Sequence, residues 1–379
     1  MGGSAFNFLL ASSFPRLPPP VYHALKARLT PVLQQFYVHV AVPAEAPEKI
    51  DHGDLDFVVF CPRNSSALHS VNVPHELIKA ALGATHCILE EGNRTSNFAI
   101  AIDQGAWGHL GCTEQEEKSR QSAGGHDIYC QVDVHVCADK NEWERVVYFH
   151  SYGDLGMMQG LIASNVGLVL GVNGLKFPHP PHPTLTLCQD FTIISKFFGW
   201  SSERRNSGFD DRQQIFEWVS ESRFFDPKCF QTSGEGIRKV KAQRTMYSDF
   251  VAWAKQRLAE GGLTSLDMAE VKRRRERVRE EALIEFGRQD EVEAYVKEFE
   301  GRKKLKSSFN GTVVNAWTHS KGNWRKVKTI MTIVREQHGG EEGLLQILMT
   351  EGEEGLKQRV MNALDEFNGS VAQSSVEVE

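Results

Sequence analysis

The stretch HGDLDFVVF, residues 52–60, sets Asp54 and Asp56 one residue apart at the head of an apolar run. In a β-strand, residues i and i+2 point to one face, so the spacing predicts two carboxylates side by side with Leu55 and Phe57 opposite. Farther on, QVDVHV repeats the pattern: Asp133 and His135 share one face, and Val132, Val134 and Val136 the other. If the two strands are neighbours, three carboxylates converge. Such a donor set suits hard divalent cations such as Mg²⁺ or Mn²⁺, which take oxygen ligands and share them with substrate phosphates. Paired ions of this kind serve phosphoryl transfer. The same spacing also describes the polar side of a half-buried strand, so both readings stand on spacing alone.

The acids need a scaffold. Residues 22–35 read as a helix, 36–42 and 55–61 as strands, and 74–83 as a second helix. Short strands follow at 85–90 and 98–103, split by the turn-like EGNRTSN. The polar, Gly-rich stretch 104–127 reads as a surface insertion, IYCQVDVHVC as a strongly alternating strand, and RVVYFH (145–150) as another. From about residue 154 the pattern turns mostly helical, with helices expected at 154–165, 211–220, 238–260, 266–300, 322–338, 341–350 and 354–367. The expected fold class is α+β: a mixed sheet with flanking helices, then a mainly helical C-terminal region.

Charge divides the chain of 379 residues more informatively than its net −6. Residues 1–231 carry 18 Lys and Arg against 25 Asp and Glu, residues 232–340 carry 23 against 15, and residues 341–379 carry 2 against 9. The central block, with Lys272, Arg273, Arg274 and Arg275 in one run and Lys303 and Lys304 in another, reads either as a solvated helix face or as a polyanion-binding surface across 236–335. The seven cysteines are scattered, without a Cys-x-x-Cys pair, and read as reduced intracellular thiols. His179 and His182 in FPHPPHP read as part of an extended connector, because proline fixes φ. No run of about 18 apolar residues exists to span a bilayer. The expectation is an intracellular protein, nuclear or cytoplasmic. A mitochondrial location stays open, since the first 44 residues hold no acid. None of these features sets the oligomeric state.

Taken in order, the segments resemble the nucleotidyltransferase superfamily, and within it the palm of DNA polymerase beta-like (family X) polymerases. GDLDFVV looks like the first metal-binding strand and QVDVHV like the strand bearing the third carboxylate. VVYFHSYGDLGMMQGLIASNVGLVLGVNGLKF is similar to the Tyr-Phe segment with its following helix and turn, and DDRQQIFEWVSESRFFDPKCF resembles the small thumb subdomain. The resemblance implies an N-terminal extension (1–21), a palm-like domain (22–176), a thumb-like subdomain (177–231), a basic helical region (232–370) and a flexible tail (371–379). It implies that Asp54, Asp56 and Asp133 are catalytic and bind two Mg²⁺ (or Mn²⁺) ions, with Asp133 orienting or deprotonating the attacking hydroxyl. Gly53, Tyr148 and Phe149 would bind the nucleoside triphosphate, and His135 stands where relatives often carry arginine. Where relatives grip the triphosphate with a Gly-Ser pair, this chain has Pro43, Ala44 and Glu45, and their Thr-Gly-Ser is His150, Ser151 and Tyr152. Two functions follow: metal-dependent transfer of a nucleotidyl group to a hydroxyl on a nucleic acid, or a catalytically degenerate scaffold that binds nucleic acid or a protein.

Overall fold

The computed structural model describes residues 5–63, 73–89, 94–230 and 244–376. The chain is α+β and clusters into two units, one of residues 1–178 with 184–282, the other of residues 179–183 with 283–379. The first unit is built on a five-stranded mixed sheet, order β1-β2-β5-β4-β3. Its strands are β1 (Tyr37–Ala41), β2 (Asp54–Pro62), β3 (Ala84–Leu89), β4 (Thr95–Ala101) and β5 (Tyr129–Val136). β2 and β5 run parallel, and the other pairs are antiparallel.

Alternation in the sequence decides the two faces of this sheet. Leu55, Phe57 and Val59 of β2 and Val132 and Val134 of β5 are buried in one core with Phe98 and Ile100 of β4. Helix α1 (Pro19–Gln34) covers them with Leu25, Leu29 and Leu33, and each such side chain removed from water contributes about 1.5–3 kcal/mol. Pro19 opens that helix, where a missing N–H costs nothing. Helix α2 (His75–Leu82) adds Ile78 and Leu82 to the same core.

The opposite face changes character along β2. Asp54 and Asp56 head it, whereas Val58 and Phe60, on the same side two and four residues on, are apolar and join Trp143, Val146 and Val147 in a second cluster. Those last three belong to α4 (Lys140–His150), which corrects the expected strand RVVYFH. The helix wins because Asp139 caps it: its side chain accepts from the Glu142 N–H (2.7 Å), while Glu142 accepts from the Ala138 N–H (2.6 Å). The cap fixes the period before the β-branched residues are reached.

Three other expectations are corrected. The stretch 104–127 is more than a surface insertion. It contains α3 (Thr113–Ser122), and it buries Trp107 and Cys112 in the main core. Buried Glu116 ties it down, accepting from the N–H groups of Gly105 and Trp107 (both 2.8 Å). After α5 (Leu155–Asn165), part of the region expected to be helical forms a small antiparallel sheet of β6 (Val169–Gly171), β7 (Gly174–Phe177) and β8 (Leu185–Cys188). An aromatic cluster with Phe198, Trp200 and Trp218 follows in and around α6 (Phe191–Phe198), α7 (Ser202–Asn206) and α8 (Arg212–Ser220). Third, the expected helix 266–300 is two helices. α10 (Met268–Glu285) stops before Gly287, whose φ of +62° few side chains adopt, and α11 (Gln289–Ser308) restarts. Between α8 and α10 lies α9 (Thr245–Ala259). Residues 231–243, which include the expected start of its helix, lie outside the described residues.

In the second unit, α11 packs with α12 (Gly311–Trp317), α13 (Trp324–Gln337) and α14 (Gly340–Val376), the last broken at Gly352. Their core includes Leu305, Phe309, Ile330, Val334, Leu344 and Leu356.

Candidate functional site

The parallel register of β2 and β5 sets Asp56 beside Asp133 and Asp54 beside Gln131. On the other side of β5, Asn97 pairs with Asp133 and Thr95 with His135. Asp54, Asp56, Asp133 and His135 therefore share one sheet face, and all four line a cleft of about 850 Å³. Apolar Val58 and Phe60, packed under α4, close one end of that face, so the acids lie where its cover ends.

The Asp56 side chain is exposed to the cleft, yet the protein crowded around its carboxyl still strips part of its solvation. That loss, with the charges of Asp54 and Asp133 beside it, pushes the carboxyl up to about 7, against the pull of Lys49. Asp133 is also raised, first by burial, although the amides of Asn97 and Gln131 oppose this. These amides donate to Asp133 from Asn97 Nδ2 (2.7 Å) and from Gln131 Nε2 (2.9 Å to each oxygen). Among the described residues, no three His, Cys, Asp or Glu side chains form a ready-made metal site. With both Asp133 oxygens on amide donors, a cation bound by all three acids would have to exchange for those bonds.

The cleft wall supplies charges that spacing did not point to. Arg94 pairs with Glu142 through both guanidinium ends, beside His135, whose ring stays below its ordinary pKa because of burial and the nearby Arg94 charge. Arg244 binds Asp154 (2.6 Å) and Arg212 binds Asp249 (3.0 Å). Lys49, exposed on the rim, makes no ion pair among the described residues. The segment 42–46 also lines the cleft, strapped by the Ala44 N–H donating to Ser151 Oγ (3.0 Å) and the Tyr152 N–H donating to the Ala44 carbonyl (2.6 Å). Ala44 thus has no N–H free for a phosphate. Glu45 is neutralised from behind by Lys26 at 2.9 Å.

The remaining expected site residues lie elsewhere. Gly53 is buried just before β2 and is not on the cleft lining. Tyr148 and Phe149, carried on α4, do not reach the lining either. The Tyr148 ring stacks on Phe191 (4.3 Å) and against the Arg205 guanidinium (3.4 Å), and its hydroxyl bonds Ser195 (2.9 Å). These are packing contacts between α4, α6 and α7. Within the basic run, Lys272, Arg273 and Arg275 are exposed on α10, but Arg274 is buried, 3.8 Å from the buried carboxylate of Asp226. It is a structural cation rather than a surface one. Lys303 and Lys304 are exposed on α11 in the second unit.

Of the residues that spacing did not single out, Gln131 was the most legible, two before Asp133 on the same face. Asn97 also alternates correctly within TSNFAIA, but the partnership of Arg94 with Glu142 appears only in three dimensions. No protein-family model matches the chain, and no curated protein matches it.

Proposed function

We propose that the chain is a divalent-metal-dependent nucleotidyltransferase of the polymerase beta-like kind, moving a nucleotidyl group from a nucleoside triphosphate to a hydroxyl of a nucleic acid. The observation that carries this reading is the in-register cluster of Asp54, Asp56 and Asp133 at the floor of one cleft, with Asp56 raised to about 7 by loss of solvation and by the other two charges. A cluster of like charges on a strand face costs stability unless a cation neutralises it. The donor chemistry, all oxygen and all anionic, fits Mg²⁺ or Mn²⁺ held by these three side chains. When bound, such ions supply charge neutralisation of the phosphates. The chain's own groups do the rest. Asp133, on giving up an amide bond from Asn97 or Gln131, orients the acceptor hydroxyl and takes its proton as the oxygen attacks the α-phosphorus and pyrophosphate leaves, a role helped by burial, which raises its carboxyl above the ordinary value. Lys49 on the rim serves as a counter-charge for the phosphates, and Arg94, Arg212 and Arg244 on the wall join it only by exchanging Glu142, Asp249 and Asp154 for them.

A second reading, a degenerate scaffold, is favoured by a specific observation: the segment 42–46 offers Pro43, an Ala44 N–H already bonded to Ser151, and Glu45 where a phosphate would need donors. Labelled nucleoside triphosphates offered with DNA, RNA and tRNA acceptors, in Mg²⁺ and in Mn²⁺, separate the two. The enzyme reading expects incorporation that Asp54→Asn with Asp56→Asn abolishes. Absence of incorporation with every acceptor and both metals would leave only the scaffold.

A further inference from the structure

The second unit contains a cavity of about 490 Å³ whose composition the proposed chemistry does not use. Its floor is apolar, with the rings of Phe299 and Phe309, and its rim carries Arg302, Lys303, Lys306 and Arg335 against a single acid, Glu341. Arg302 is engaged by Glu298 (2.8 Å), and Arg335 lies over the Phe309 ring at 5.5 Å. Lys303 and Lys306 are exposed and make no ion pair among the described residues. Phe299 is itself 41% exposed.

Gly311, on the cavity lining, extends the feature. A Cβ there would lie 3.7 Å from the ring of Trp324, so the indole lies against one of the lining residues. That indole is 58% exposed, an unusual place for so large an apolar surface, and the exposed cations Arg325 and Lys328 follow it. Residues 297–335 hold ten Lys and Arg against two Glu. Exposed flat rings interleaved with unpaired cations are complementary to a chain of alternating bases and phosphates. A cavity of this size is also within the range that accepts one base.

We infer that the second unit carries a track for single-stranded nucleic acid, with bases against Phe299 and Trp324 and phosphates on Lys303, Lys306 and Arg325. The inference goes beyond the proposed function and does not rest on it: it gives the second unit a ligand of its own. Single strands are favoured over duplexes because only unpaired bases leave their faces free to stack. They are favoured over acidic peptides because the exposed apolar groups are flat rings rather than a row of aliphatic anchors.

The test is fluorescence anisotropy of the full chain with labelled oligo-dT and oligo-U. Trp324→Ala removes an exposed ring and should keep the melting temperature while weakening binding about 5- to 150-fold, the loss of one stacked base. Lys303→Gln with Lys306→Gln should flatten the slope of log affinity against log salt by about 1.4, at about 0.7 per phosphate contact. Lys118→Gln, an exposed cation on α3 away from both clefts, should leave binding unchanged. Binding with no incorporation by the unmutated chain would sink the nucleotidyltransferase reading and keep this one. Four results would overturn the track: no binding at low salt, unchanged binding by the Trp324 and Lys303–Lys306 variants, an equal loss of binding in the Lys118 variant, or equal Trp324-dependent binding of poly-glutamate.

Discussion

Asp56 is the residue at which the account is most exposed. Its carboxyl titrates at about 7 in the fold and near 3.8 in an unfolded chain. Below about pH 4 both states are protonated, and no penalty applies. As pH rises toward 7 the unfolded chain gives up its proton first, so this group's contribution to stability is lost across that window. Melting the metal-free protein in chelator from pH 4.5 to 8 should therefore show a decline that Asp56→Asn reduces. An identical pH profile for the variant would mean that Asp56 is not held among like charges. The presence of the acids was legible in DLD and DVH, because a period of two allows only one arrangement of faces. The saturation of Asp133 by Asn97 and Gln131 was not, since alternation places the amides on its face without showing where they donate.

Among the elements, α4 and α10 show why some of the reading failed. RVVYFH has the composition of a strand, and a cap six residues upstream overrode it, moving Tyr148 and Phe149 from an expected nucleotide pocket into packing against α6 and α7. The signal was present in Asp139 and Glu142, spaced as a capping box. In α10, four consecutive cations cannot share one helix face, and the 3.6-residue period turns Arg274 inward to Asp226. Asp226 also accepts from Ser265 Oγ (2.9 Å) and the Lys228 N–H (3.1 Å). Asp226→Ala should cost about 3–5 kcal/mol in urea denaturation, because it strands a buried guanidinium. Arg273→Ala, on the exposed face, should stay within about 0.5 kcal/mol. Equal small effects would show that Arg274 is not buried against a carboxylate.

At the scale of the whole molecule there are two units, each with its own core: the acids lie in the first, and the expected basic surface is split, with Lys272, Arg273 and Arg275 in the first unit and Lys303 and Lys304 in the second. The charge blocks do not follow this boundary, which falls inside the basic one. The boundary within α10–α11 was hidden, because the cationic helical pattern runs through Gly287 without a change of composition. Binding to the acid cluster should stabilise the first unit, since a cation that binds the fold and not the unfolded chain adds RT ln(1 + [L]/Kd), about 2.7 kcal/mol at a hundredfold excess over Kd. None of the described helices is long and apolar enough to cross a membrane. The measurement that bears most directly on the central claim is calorimetric melting of the intact chain with increasing Mg²⁺ or Mn²⁺. The account predicts a concentration-dependent rise in the transition of the acid-bearing unit that Asp56→Asn largely removes; no rise, or an equal rise in the variant, would contradict it.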